Sequence, residues 1–144
     1  KNANSEKAEM NQKLLLAVKY YTDGDRIMAA TSVNGYSEGD FDTEETKALF
    51  KMVSKKLTAQ DVKKLFEDGR AAFNSGKYDD AEKLLLQVLS YDEKNQDALY
   101  FMGRVYHQRG KKKKAQEYYQ KVLDVDDKTG RATEARTRMR QLGQ

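Results

Sequence analysis

The amino-acid sequence predicts an all-α protein, a stack of antiparallel helical hairpins with about eight helices. Three observations carry that expectation. Residues 62–95 and 96–129 are two copies of one unit. Shifted by 34 positions, the chain matches itself at Leu65/Leu99, Gly69/Gly103, Arg70/Arg104, Gly76/Gly110, Lys77/Lys111, Ala81/Ala115, Val88/Val122, Leu89/Leu123, Asp92/Asp126 and Lys94/Lys128. A fixed period of this length marks supersecondary units that stack on their neighbours to bury a shared core. The 144 residues include no proline, where average usage of roughly 5% would place about seven. The nine glycines fall mainly at turns, so helices joined by tight connections are expected.

Read in order, residues 5–22 form a first helix, with Met10, Leu14, Ala17, Val18 and Tyr21 at helical spacing and Asp23-Gly24-Asp25 as its breaker. Residues 27–33 form a short second helix packed through Ala29 and Ala30. Asn34-Gly35 and Glu38-Gly39-Asp40 make a polar connection. Asp42 with Glu45 reads as a capping box opening a third helix through Leu49, Phe50, Val53 and Leu57. Thr58 with Asp61 repeats that signal. In the second copy, Leu99, Met102, Gly103 and Tyr106 share one helix face, Gly110 ends the helix, and Ala115, Tyr118, Tyr119, Val122 and Leu123 form the facing stripe. Gly69 and Gly103 are expected to cross against Ala81 and Ala115, since close helices need small side chains there. Ala132, Ala135, Met139 and Leu142 make a final amphipathic helix. The chain divides into a divergent N-terminal helical region, 1–57, and a repeat array, 58–144, whose last helix spans 130–143.

Charged residues make up 35% of the chain, hydrophobic ones 38%, and mean hydropathy is −0.94. Thin amphipathic layers fit these values. With no cysteine, disulfides, thiolate metal sites and a cysteine nucleophile are excluded. The longest apolar run, near residues 14–18, is far short of the ~20 residues that span a bilayer. Membrane attachment is expected only through a segment outside this sequence. The chain begins Lys1-Asn2-Ala3, as a trimmed or processed product would, which leaves room for a removed signal or anchor.

One histidine, His107, cannot make a metal cluster or a catalytic triad. The carboxylates Asp23, Asp25, Glu38, Asp40, Asp42, Glu44 and Glu45 lie near glycines but in no calcium-loop register. Neither an enzyme, a metal nor a cofactor is expected.

The period and the residues Leu99-x-x-Met102-Gly103-x-x-Tyr106, Ala115-x-x-x-Tyr119 resemble the tetratricopeptide repeat. The first copy, with Leu65, Gly69, Gly76 and Ala81, departs from the pattern at Asp68 and Ala72. The spacing of Ala17, Gly24 and Ala29 resembles a degenerate further repeat. The resemblance implies a right-handed α-solenoid closed by a capping helix. It also implies a scaffold or adaptor that binds a protein or peptide in a concave groove. The groove would be faced by Lys63, Phe66, Arg70 and Phe73 from the first copy, and by Asp97, Tyr100, Arg104 and His107 from the second. Aromatics beside arginines suit peptide binding. The lysine–asparagine clamp known in the family has no counterpart, because Arg70 and Arg104 stand in place of asparagine.

The alternative reading is a binder of anionic surfaces: lipid headgroups, a cell-envelope polymer or nucleic acid. Residues 1–103 carry a net −3 and residues 104–144 a net +7. Lys111, Lys112, Lys113 and Lys114 open a helix, where the macrodipole favours acids, and Arg136 and Arg140 add to the basic end. Nucleic acid is the least expected partner. The run 131–136 resembles the tails of bacterial-envelope repeat proteins, which inclines the expected location to the extracytoplasmic side and leaves the cytoplasm open.

Overall fold

The structure, a computed structural model, describes residues 2–143. Among the described residues it holds eight α-helices, one short 3-10 turn and no strand. The chain divides into two compact units, residues 1–58 and 59–144.

In the first unit, α1 (Ala3–Thr22) and α2 (Arg26–Ser32) form a hairpin, and α3 (Glu44–Ser54) packs on both after a 3-10 turn at Glu38–Asp40. Met10, Leu14 and Ala17 of α1, Ala29 and Val33, Phe41, and Phe50 and Val53 of α3 form its core. Phe41 and Phe50 anchor it with ring centroids 5.1 Å apart. Two expectations need correction. The capping box of α3 is Thr43 with Thr46, the Thr46 N–H donating to Thr43 Oγ1 at 3.1 Å. Asp42 pairs instead with Lys7, 2.8 Å away on α1. Leu57 lies beyond the helix, which ends at Ser54.

The second unit contains α4 (Ala59–Asn74), α5 (Tyr78–Tyr91), α6 (Gln96–Gln108), α7 (Lys112–Val125) and α8 (Gly130–Leu142). Pairs α4/α5 and α6/α7 are the hairpins, and α8 closes the array on α7 and α6. Helices α4, α6 and α8 touch in succession, while α5 and α7 do not meet. The stack is therefore tighter on the α4–α6–α8 side. On the other side a cleft of about 530 Å³ opens between α5 and α7, over Leu86, Leu89, Leu99 and Val125.

Three hairpin turns share one hydrogen-bond pattern. Gly76 and Gly110 take φ of 77° and 74°, the left-handed conformation that terminates helices and favours glycine. Lys77 N–H donates to Ala72 C=O at 2.9 Å, and Lys111 N–H to Tyr106 C=O at 2.9 Å. The α1–α2 turn repeats this with Gly24 at φ 90° and Asp25 N–H donating to Tyr20 C=O at 2.8 Å.

At the helix crossings the nearest neighbours of each glycine lie one turn beyond the expected alanine. A Cβ on Gly69 would meet Leu85 and Leu84, and one on Gly103 would meet the ring of Tyr119. Ala81 and Ala115 are wholly buried nearby. Side chains on a helix lean toward its N-terminus, so the residue one turn after each alanine reaches back to fill the notch.

Candidate protein-binding face

The tight side of the second unit presents equivalent positions of α4, α6 and α8, related by steps of 34 residues. One such column is Arg70, Arg104 and Arg138. Arg70 lies over the Phe66 ring, 6.0 Å from its centroid. Arg104 lies over Phe73 at 5.0 Å and directs Nη1 toward the Tyr100 hydroxyl at 3.5 Å. Its Nε is buried without a hydrogen-bond partner. Arg138 donates from Nε to the Tyr100 hydroxyl at 3.3 Å and from Nη1 to Gln141 Oε1 at 3.2 Å. Among the described residues none of the three forms an ion pair. By contrast, Arg109 pairs with Asp79 and Glu82, and Arg131 with Asp97 at 2.7 Å and with Glu134 at 3.4 Å.

His107, one turn after Arg104, sets Nδ1 3.1 Å from the Tyr119 hydroxyl. Burial, then the charges of Arg138, Arg104 and Lys112, hold its imidazole below the ordinary histidine value. Burial pushes the Tyr119 phenol up.

Of the eight groove candidates, Lys63 and Arg70 are exposed, and Phe66, Arg104 and His107 are partly exposed. Two need correction. Tyr100 is 2% exposed, with Arg131 over one side of its ring at 5.0 Å and Phe101 and Tyr119 at 5.3 and 5.9 Å. Phe73 is also buried, against Phe101 at 5.7 Å and beneath Arg104. Both rings hold helices together and offer little surface to a partner. Asp97 is exposed but engaged by Arg131. Sequence reasoning missed Arg138, Arg131 and Phe101. The first two were reachable, because adding 34 to Arg104 and Asp97 lands on them. Phe101, which packs on Phe66 at 5.8 Å, lies one position off the copied pattern.

The candidates for an anionic surface are dispersed. Lys111, Lys112, Lys113 and Lys114 are exposed around the start of α7. Lys114 sits over the Tyr106 ring at 4.9 Å. Arg136 donates to the Asp127 carbonyl, and Arg140 donates to Thr137 Oγ1 at 3.2 Å. On the same hairpin the Tyr106 hydroxyl donates to Glu82. Burial and this bond push the Tyr106 phenol up to about 12. Among the described residues no group of three or more histidines, cysteines or acids could hold a metal, and no helix is long and apolar enough to cross a membrane.

Residues 72–139, from the last turn of α4 into α8, match the family model described as tetratricopeptide repeat. Residues 72–139 are a tetratricopeptide repeat segment. A search of curated proteins returned no match. Tetratricopeptide repeats are generally protein–protein interaction modules and are typically non-catalytic. The match takes in the hairpin α6–α7 whole, together with most of α8, so Arg104, His107 and Arg138 all lie within the tetratricopeptide segment.

Proposed function

We propose that this protein is a scaffold or adaptor that binds a peptide segment of a partner protein along the α4–α6–α8 face. The observation that carries the reading is the arginine column. Arg70, Arg104 and Arg138 repeat one charge at equivalent positions on touching helices, without an acid assigned to any of them. Arginine offers planar, bidentate carboxylate recognition, and half-buried Phe66 and its neighbours offer apolar area at low entropic cost. The partner segment that fits is acidic with apolar residues interspersed. Lys111, Lys112, Lys113 and Lys114 support the rival reading, an anionic-surface binder. Arg136 and Arg140 lend it less, since a backbone carbonyl and a threonine already engage them.

The test is selection from a displayed random-peptide library. Selected sequences should be rich in Asp or Glu with interspersed Leu or Phe. Their affinity should fall at least tenfold for Arg70→Gln/Arg104→Gln/Arg138→Gln and stay within about twofold for the variant with all four lysines changed to Gln. Peptides that bind the triple arginine variant undiminished, and lose affinity only in the lysine variant, overturn this reading.

A further inference from the structure

The chain's one histidine stands in the densest part of the arginine column. The charged groups that act on His107 are Arg104 from its own helix, Lys112 from α7 and Arg138 from α8, while α4 and α5 contribute none. All are cations. From α7 the Tyr119 hydroxyl also faces it, at 3.1 Å. Beside them Arg104 keeps a buried, unpartnered Nε donor, and its Nη1 reaches only a 3.5 Å contact with Tyr100. This corner has surplus donors and positive charge, and the acceptors it does have, the Tyr100 and Tyr119 hydroxyls, carry no charge.

We propose that Arg104, His107 and Arg138 form a proton-linked anion site, which takes an aspartate or glutamate side chain of the partner segment as His107 takes up a proton. The inference rests on the α4–α6–α8 face being the binding surface and adds to it a ligand group and a pH response. A carboxylate within about 4–6 Å of the imidazole favours its charged form. Linkage is reciprocal: if the bound carboxylate raises proton affinity at His107, the proton raises carboxylate affinity by the same factor. The charged imidazole loses no existing bond, because Nδ1–H can donate to the Tyr119 hydroxyl, which accepts.

A single histidine gives a single imidazole signal, so the full chain can be titrated by NMR without assignment. Hexaglutamate is the probe and inorganic phosphate the comparison. Saturating hexaglutamate should raise the His107 midpoint by about one unit, and the peptide should bind about fivefold more tightly near pH ~5.5 than near pH ~7.5. Arg104→Gln/Arg138→Gln should move the free midpoint up toward the ordinary value and abolish the response to peptide. His107→Gln should flatten the pH dependence of affinity. Three outcomes overturn the proposal. If hexaglutamate binds with the same affinity at both pH values and leaves the midpoint unmoved, the proton link is wrong, while the binding-face reading stands on its library test. If hexaglutamate binds the double arginine variant undiminished, the anion lies elsewhere. If phosphate alone reproduces the full midpoint shift, the site belongs to a free anion and not to a partner's carboxylate.

Discussion

Gly103→Ala probes the helix crossing of α6 on α7, where an added Cβ would meet the Tyr119 ring. A Cβ there would stand 2.5 Å from both Cδ1 and Cε1 of Tyr119 and 3.1 Å from Cζ, about 1 Å inside normal carbon contact. Tyr119 is wholly buried, packs against Tyr100 and is held by His107 through its hydroxyl. Its ring cannot swing clear without breaking those contacts. At Gly69 the same substitution meets Leu85 Cγ and Cδ2 at 3.1 and 3.2 Å and Leu84 Cβ at 3.4 Å, where a leucine can turn by a few tenths of an ångström. Both alanines gain about 1 kcal/mol of helix propensity, so the variants differ mainly in the clash. Overpacking typically costs about 1–3 kcal/mol. After the propensity gain, Gly103→Ala should lose about 1–2 kcal/mol, Gly69→Ala should stay within about 0.5 kcal/mol of the parent, and Gly103→Leu should lose more than either. Urea unfolding followed through the His107 imidazole signal reports on the second unit alone. If Gly103→Ala proves as stable as Gly69→Ala, the crossing argument is wrong.

Three further predictions concern other parts of the chain. Thr43→Ala should cost about 1 kcal/mol through loss of the α3 cap, while Asp42→Ala, losing one exposed ion pair with Lys7, should change stability by less than about 0.5 kcal/mol; amide exchange across α3 measures both, and the reverse order would restore Asp42 as the cap. The native phenols of Tyr106, Tyr118 and Tyr119 hold their protons above the ordinary tyrosine value, so their contribution is complete below about pH 10 and is lost as pH rises toward 12. Absorbance titration should show a late group of tyrosines ionising together with unfolding, and smooth titration of all tyrosines in one step would refute it. Arg131→Met should lose about 1–2 kcal/mol, since Arg131 bonds Asp97 and Glu134 and covers the rings of Tyr100 and Phe101. Arg104→Met should stay within about 0.5 kcal/mol of the parent, the loss of ring contact being offset by relief of an unmet donor. Equal losses in the two would mean that Arg104 serves the fold.

Much of the second unit was legible because one physical constraint recurs. A 34-residue period with glycine at each turn defines helix, stop, helix, and the structure closes its turns at Gly76 and Gly110 as that pattern implies. Small residues showed where helices approach but not which long side chain fills the gap: Leu85 was not singled out, and Tyr119 was placed on the facing stripe but not against Gly103. The start of α3 was ambiguous for another reason. Residues 42/45 and 43/46 both carry capping chemistry, and a tertiary partner, Lys7, draws Asp42 away. No local pattern contains that information. Burial of Tyr100 also depends on a neighbour. Repeat register says which positions share a face, not whether the next helix covers them. Helix α6 lies between α4 and α8, and Arg131 of α8 closes over Tyr100, whereas Phe66 on the terminal α4 stays partly open.

Two columns on the same three helices separate what folding needs from what it does not. At positions 63, 97 and 131 the charge alternates from Lys to Asp to Arg, and the Asp97–Arg131 ion pair joins α6 to α8. At positions 70, 104 and 138 it does not alternate: three arginines stand at equivalent points on touching helices. Like charges on neighbouring elements oppose stacking, weakly where solvent screens them and more strongly where they are partly buried. An acid at any of these positions would relieve the repulsion, as Asp97 does in the adjacent column. The ring contacts of Arg70 and Arg104 account for their hydrocarbon stems and part of their charge, but not for the absence of a counter-ion or for the unpartnered Nε. A column that is adverse to the free chain becomes favourable once a ligand supplies the negative charge. That is the ground for proposing the arginines that least help the fold as the ones that meet a partner's acidic residues.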